Sequence, residues 1–108
     1  VKRGAVVRYS IVMTDAVIEQ GAMVDRCIVD KNVIVGRGAC VGYGSDYTPN
    51  NNPDLHLSTG ITVIGKNTII PPDFRIGRNV IVGSDLNDDA FSGSYLPSGQ
   101  NFMIEATD

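Results

Sequence analysis

The sequence predicts an all-β protein, wound as a single-stranded left-handed parallel β-helix. Two observations of composition support the all-β class: the chain has 13 Val and 11 Ile against 4 Leu, and it also has 12 Gly and 5 Pro. β-Branched residues favour strands, whereas Leu and Ala favour helices. A third observation, a period of six residues, selects the β-helix among the all-β folds.

Aliphatic residues recur six positions apart in two runs, with a single step of five before Val29. The eleven registered positions are Val6, Val12, Ile18, Val24, Val29, Val35, Val41, Ile64, Ile70, Ile76 and Val82. Three such hexads complete one coil, and stacked coils bury a continuous inward column. The pattern therefore predicts a triangular prism of three to four coils over residues 1–83. A β-sandwich with short strands is the less favoured alternative.

Gly, Asn or Asp stands three residues after nearly every registered aliphatic residue. These positions are Asp15, Gly21, Asn32, Gly38, Gly44, Asn67, Asp73, Asn79 and Asp85. All three residue types tolerate the left-handed backbone conformation, so each is predicted to turn the chain from one side of the prism to the next. Tyr9, three residues after Val6, is the exception to this turn column. The five-residue step before Val29 is predicted to lack the left-handed residue.

Two segments lack the period. Residues 43–59 contain two Pro and three consecutive Asn, and they are predicted to leave a corner of the prism as a long loop. Residues 84–108 contain five acidic residues and no basic one, and they are predicted to form an irregular acidic tail that caps the open end. The candidate anchors of this cap are Phe91, Tyr95, Phe102 and Met103.

Composition also excludes several functions. No apolar run approaches 18 residues and no signal-peptide pattern is present, so a membrane partner is not expected. Aromatic residues make up only 6% of the chain and no basic patch occurs, which argues against nucleic-acid binding.

The two cysteines, Cys27 and Cys40, match no zinc pattern and indicate a reducing, cytoplasmic compartment. The chain begins with Val inside the pattern, which suggests an excised fragment or a processed protein.

His56 is the one histidine, and it lies in the predicted loop. Hexapeptide-repeat acyltransferases use a His near such a loop as a general base, and Asp54 is the only nearby candidate to orient it. A solvated or packed loop histidine is the simpler interpretation. A metal site on this scaffold needs several His ligands, so no metal ligand is predicted.

Among the scattered cations, Lys31 and Lys66 stand beside predicted turn residues and should project from corners of the prism. Cations in such places either bind a phosphorylated metabolite or serve solubility.

Three segments together resemble the C-terminal β-helix domain of the glucose-1-phosphate adenylyltransferase (ADP-glucose pyrophosphorylase) family. They are VKRGAVVRYSIVMTDAVIEQGAMVDRCIVDKNVIVGRGACVGYG, PNNNPDLHLSTGITVIGKN and IPPDFRIGRNVIVGSD, and the resemblance covers roughly residues 1–99. The step at VDRCIVDKN and the return at STGITVIGKN are more specific than a generic hexapeptide match.

The resemblance implies a parent enzyme that makes ADP-glucose and pyrophosphate from ATP and glucose 1-phosphate for glycogen or starch synthesis. Catalysis, with ATP and Mg²⁺, belongs to an N-terminal nucleotidyltransferase domain whose Gly-rich signature is absent here, so no catalytic residue and no cofactor are expected in this chain. The β-helix domain would pack on that domain, contribute to a homotetramer and help to form an allosteric site. The effector motifs of regulated relatives fall on Lys31 and Lys66.

The sequence thus predicts a non-catalytic regulatory and oligomerisation domain, with a phosphorylated sugar as the candidate effector. The alternatives are a hexapeptide-repeat acyltransferase with His56 as base, the β-helix domain of another sugar-nucleotide pyrophosphorylase, and a structural interaction module.

Overall fold

The computed structural model describes residues 2–103, which form short strands joined by turns. The strands in this part of the chain are β1 (Val6–Arg8), β2 (Ile11–Val12), β3 (Val17–Ile18), β4 (Met23–Asp25), β5 (Cys27–Val29), β6 (Ile34–Val35), β7 (Cys40–Val41), β8 (Thr62–Ile64), β9 (Ile69–Ile70), β10 (Arg75–Ile76), β11 (Ile81–Val82), β12 (Tyr95–Leu96) and β13 (Asn101–Phe102). Two 3₁₀ turns, Pro53–Leu55 and Asp88–Ala90, are the only helical segments of residues 2–103. The described protein is therefore all-β.

The strands form three parallel sheets, and the chain visits these sheets in turn. Sheet A contains β1, β4, β7, β10 and β12, sheet B contains β2, β5, β8, β11 and β13, and sheet C contains β3, β6 and β9. Each pair of neighbouring strands is parallel. Every sheet thus receives one strand from successive coils of the chain. This architecture is a parallel β-helix, and it agrees with the left-handed β-helix predicted from the hexapeptide pattern.

The inward column of aliphatic residues forms the core. Nine of the eleven registered residues are buried, namely Ile18, Val24, Val29, Val35, Val41, Ile64, Ile70, Ile76 and Val82. Val12 is half-buried and packs against the same cluster. Because full burial of a Val or Ile side chain contributes about 1.5–3 kcal/mol, this column is the main source of stability.

The first coil departs from the predicted register by one residue. Val7, and not Val6, pairs with the buried Val24, and Val6 remains 40% exposed. Including Val6 in the inward column was therefore wrong. Successive strand side chains point to opposite faces, so a shift of one residue exchanges the inward and outward sides. The step from Val7 to Val12 then has the same length as the later step to Val29.

The corners between the sheets have the left-handed backbone that the turn column predicts. All nine Gly, Asn and Asp residues of that column have a φ between 58° and 85°. The prediction that the five-residue step lacks such a residue was wrong, because Arg26 has a φ of 54° there. Tyr9 adopts the same conformation one coil earlier, with a φ of 50°. The Arg26 guanidinium lies 5.2 Å from the centre of the Tyr9 ring, so the two unusual turn residues stack on each other.

The long insertion leaves the β-helix after β7 and returns at β8, and Asn79 holds both of its ends. The fully buried Asn79 side chain accepts a hydrogen bond from the Gly60 N–H at 2.7 Å. Its Nδ2 donates to the carbonyl oxygens of Tyr47 at 3.2 Å and Thr48 at 3.0 Å. One turn residue of the scaffold therefore fixes the path of the loop.

The first two of the three consecutive asparagines fasten the middle of the insertion to later coils. Asn50 Nδ2 donates to the Asn79 carbonyl and to Asn101 Oδ1, both at 2.9 Å. The Asn51 N–H donates to the Gly99 carbonyl at 2.8 Å. The insertion consequently lies against the β-helix along the corner between sheets A and B.

The segment after residue 83 extends two of the sheets. Strand β12 pairs with β10, and β13 pairs with β11. The Phe91 ring lies 5.2 Å from the Phe74 ring and 4.8 Å from the Phe102 ring. Tyr95 and Met103 are exposed. Residues 104–108, the end of the predicted acidic tail, lie outside the described residues.

Candidate functional site

Lys31 and Lys66 occupy equivalent positions on neighbouring coils, at the corner between sheets B and C. Val29 pairs with Ile64, and each lysine lies two residues beyond its paired strand residue. The Asn67 N–H donates to the Lys31 carbonyl at 2.9 Å, which continues the ladder around the corner. Neighbouring strands are about 4.8 Å apart, so the fold brings together two lysines that are distant in sequence.

Both lysine side chains point into solvent beside acidic and amide groups. Lys31 Nζ lies 3.9 Å from Asp30 Oδ1, an exposed and weak ion pair. Lys66 has no carboxylate oxygen within 4.0 Å among residues 2–103. Next to it, Asn67 Nδ2 donates to Asp85 Oδ1 at 2.9 Å. The two lysines therefore present ammonium donors from adjacent coils at the same corner.

His56 ends the first 3₁₀ turn, and its backbone has a φ of 49°. Its exposed side chain borders a shallow cleft with Pro49, Asn52 and Leu57. Among the described residues, neither Asp54 nor any other side chain forms a hydrogen bond or an ion pair with the imidazole. A general base needs a partner that orients it. The geometry therefore offers no support for acyltransferase chemistry at His56.

A buried ion pair that the sequence did not indicate lies at the base of the insertion. Arg78 Nη2 is 2.8 Å from Asp25 Oδ2, and both residues are more than nine-tenths buried. Arg78 Nε donates to the Gly44 carbonyl at 2.6 Å, and the guanidinium lies 4.9 Å from the centre of the Tyr47 ring. The partners come from coils on either side of the insertion, and no local pattern marks such a pair.

A family model described as GlmU-like, C-terminal hexapeptide matches residues 1–64, which is more than half of the chain. The chain belongs to the GlmU-like hexapeptide family. Membership accounts for the six-residue period, because each hexapeptide supplies one short strand and one turn to the stacked coils. The matched part of this hexapeptide domain includes β1 to β8 and the whole insertion.

The hexapeptide domain is similar to curated proteins named glucose-1-phosphate adenylyltransferase, as the sequence resemblance predicts. It is 53% identical over 100 residues to the protein of Thermomicrobium roseum, covering 93% of this chain and 23% of the relative. It is 31% identical over 103 residues to the protein of Acetivibrio thermocellus, covering 95% of this chain and 24% of the relative. The chain thus spans about a quarter of the length of these relatives. No solved structure matches the chain significantly.

Other reactive groups of the hexapeptide domain are inert or solitary. Cys27 is buried and Cys40 is half-buried, and both are free thiols. Burial raises the pKa of the Cys27 thiol to about 12, so this residue carries no thiolate near neutral pH. No group of three His, Cys, Asp or Glu side chains in residues 2–103 is arranged to hold a metal ion. Over the same residues, no helix has the length and apolar character needed to cross a membrane.

Proposed function

We propose that this chain is the non-catalytic regulatory and oligomerisation domain of a glucose-1-phosphate adenylyltransferase. The observation that carries the proposal is the 53% identity to the Thermomicrobium roseum protein of that name across 93% of this chain. Since the match occupies only 23% of that relative, most of the relative's length is left for a separate catalytic domain. The whole enzyme would form ADP-glucose and pyrophosphate from ATP and glucose 1-phosphate, with ATP and Mg²⁺ bound in that other domain.

The chemistry of the described residues supports a role without catalysis. In residues 2–103 the interior is a column of packed, mostly aliphatic side chains. His56 has no orienting partner in residues 2–103, and the Cys27 thiol stays protonated. Both cysteines are free thiols, which supports the proposal that the enzyme works in a reducing, cytoplasmic compartment.

The proposed regulation acts through Lys31 and Lys66. A phosphorylated sugar bound by the two ammonium groups would bridge this corner to the nucleotidyltransferase domain of the same chain. Such a ligand changes activity only if it binds the active arrangement of the two domains more tightly than the inactive one. The adjacency of the lysines on neighbouring coils supports this role, because a single phosphate can then contact both.

The proposed assembly into a homotetramer uses the outward sheet faces. On sheet B, four β-branched residues follow one another across the strands, in the order Ile11, Ile28, Val63 and Ile81. Ile11 is 59% exposed, and the other three are half-buried. A continuous apolar stripe of this kind is typical of a protein–protein interface.

The test is an activity assay on the whole enzyme that contains this chain. Glucose 6-phosphate, fructose 6-phosphate and fructose 1,6-bisphosphate are titrated into the wild-type enzyme and into the Lys31→Ala and Lys66→Ala variants. We expect at least one sugar to activate the wild type, and each variant to need about tenfold more of it with unchanged basal activity. Arg75→Ala, which removes an exposed cation on sheet A, is the matched control. Equal activation of all variants would remove the two lysines from the mechanism, and an enzyme without adenylyltransferase activity would overturn the assignment itself.

A further inference from the structure

The last two strands of the β-helix have few bonds to the sheets. Strands β12 and β13 each contain two residues, and together with the turn between them (residues 95–102) we call them the terminal coil. Within residues 2–103, β12 pairs only with β10 at the end of sheet A, and β13 pairs only with β11 at the end of sheet B. Because strands this short form few ladder hydrogen bonds, we expect the terminal coil to open more easily than coils that have neighbours on both sides.

The insertion supplies a second set of hydrogen bonds to the terminal coil. The Asn51 N–H donates to the Gly99 carbonyl at 2.8 Å. Asn101 Nδ2 donates to Asn51 Oδ1 at 2.7 Å, and Asn101 Oδ1 accepts from Asn50 Nδ2 at 2.9 Å. Both polar groups of the Asn101 amide are thus bonded to the insertion.

The backbones of the two segments are also in close contact at Gly99. This residue has a φ of 83°, which glycine adopts without strain. A Cβ atom there would lie 2.6 Å from the Pro49 carbonyl oxygen and 3.2 Å from the Thr48 carbonyl oxygen. The absence of a side chain at Gly99 therefore allows the insertion to lie directly on the turn of the terminal coil.

Asn50 carries this contact into the interior of the protein. It is buried, and its Nδ2 donates at 2.9 Å both to Asn101 Oδ1 and to the Asn79 carbonyl. Both of these bonds are lost if the insertion moves away from the β-helix. Since a buried polar group without partners is costly, the bonds between the insertion and the terminal coil should form and break together.

We propose that the insertion and the terminal coil open and close together, as one unit that is separate from the rest of the β-helix. Binding of a molecule to the closed insertion then stabilises β12 and β13, and displacement of the insertion frees them. The coupling is reciprocal, because the two segments share one set of bonds. This inference concerns the fold alone and does not rest on the proposed function.

Opening of this unit uncovers the end of the aliphatic column. Leu96 and Phe102 pack against the core, where they pair in register with the buried Ile76 and Val82. Without the terminal coil these two core residues lose their cover, and β10 and β11 become free edges that can accept a strand from another chain. The insertion therefore acts as a clasp that keeps this end of the β-helix closed.

Amide hydrogen exchange, measured by NMR on the 108-residue protein, tests the coupling with one reporter for each segment. The Asn50 N–H, which is bonded to the Leu57 carbonyl at 2.9 Å, reports on the insertion. The Gly77 N–H, which is bonded to the Leu96 carbonyl at 2.9 Å, reports on the terminal coil. Both amides become free to exchange only when their own segment opens.

The two variants each change one segment and leave both reporter bonds in place. Asn51→Ala removes a side-chain acceptor from the insertion, and Asn101→Ala removes a donor and an acceptor from the terminal coil. We expect each variant to speed the exchange of both reporters by the same factor, about tenfold or more, because both amides exchange through one opening.

Two controls separate this opening from other effects. Asn87→Ala should change neither reporter, because Asn87 is exposed and its side chain does not cap the 3₁₀ turn that it precedes. The Met23 N–H, bonded to the Ala39 carbonyl in the earlier coils, should exchange at the wild-type rate in every variant. If it is accelerated as much as the reporters, the protein opens as a whole and no separate unit exists. If each variant accelerates only the reporter of its own segment, the two segments move independently and the inference is wrong.

Discussion

The guanidinium of Arg78 and the carboxylate of Asp25 form a buried ion pair, with Nη2 and Oδ2 2.8 Å apart. Asp25 ends strand β4, before the insertion, and Arg78 follows β10, after it. Nε of the same guanidinium donates a hydrogen bond to the Gly44 carbonyl, at the point where the insertion leaves the β-helix. The pair therefore links the coils before and after the insertion at the point where the insertion leaves the β-helix.

Removing one partner of this pair should be far more costly than removing a surface cation. We expect Arg78→Met to lower the free energy of unfolding by about 3–5 kcal/mol, because it leaves the Asp25 carboxylate buried without its main cation. Arg8→Met is the control: Arg8 Nε lies 3.7 Å from Asp25 Oδ1, but its side chain is 53% exposed, and its loss should cost less than about 1 kcal/mol. Urea denaturation monitored by circular dichroism measures both values. Similar losses in the two variants would contradict a dominant role for Arg78.

The Asn79 side chain should be what holds the insertion against the β-helix. We expect Asn79→Gly to cost about 3 kcal/mol and to open residues 43–61 to protease, since it removes the bonds to Tyr47, Thr48 and Gly60. Glycine tolerates the native φ of 60°, so the loss reports the side chain and not backbone strain. Asn67→Gly is the matched control, with a φ of 61° and one exposed bond to Asp85. Urea denaturation and limited proteolysis should show only a small change in that control. If the insertion resists protease equally well in both variants, Asn79 does not hold it in place.

The direction in which an isoleucine points should decide its contribution to stability. Ile18 is fully buried in the inward column, whereas Ile11 is 59% exposed on the outward face of sheet B. We expect Ile18→Ala to lower the free energy of unfolding by about 2–5 kcal/mol. The same truncation at Ile11 should change it by no more than about 0.5 kcal/mol in the monomer. Thermal and urea unfolding compare the two, and a larger loss at Ile11 would mean that the outward face of sheet B is covered.

The Cys27 thiol should make stability fall at high pH. Burial raises its pKa from 9.0 to about 12, so above pH 9 the unfolded chain releases a proton that the folded chain retains. The unfolded state then binds fewer protons, and stability decreases between about pH 9 and 12 by up to about 1.4 kcal/mol per pH unit from this group. Urea denaturation across this range should show a steeper fall in the wild type than in Cys27→Ala. Parallel curves for the two proteins would exclude the thiol as the cause.

Some features could be predicted from the sequence because each hexapeptide carries them locally. The excess of Val and Ile predicts strands, the six-residue period predicts the β-helix, and Gly, Asn or Asp at a fixed place predicts the left-handed corners. Such residues act through their own backbone or through the same position one coil away, so a pattern in one dimension is sufficient. The one error of register, Val6 in place of Val7, arose because Val6 lies six residues before Val12, whereas the actual step from Val7 is five residues long. The five-residue step from Val24 to Val29 was the signal that could have resolved it.

The tertiary structure alone decided which distant residues meet. The adjacency of Lys31 and Lys66, the ion pair of Asp25 with Arg78 and the control of the insertion by Asn79 all depend on how the chain continues after a segment that has no period. The length of such a segment does not indicate where it returns, since the cost of closing a loop changes slowly with its length. The sequence by itself therefore determined the form of each coil, whereas the packing of the insertion against the later coils determined which side chains share a corner.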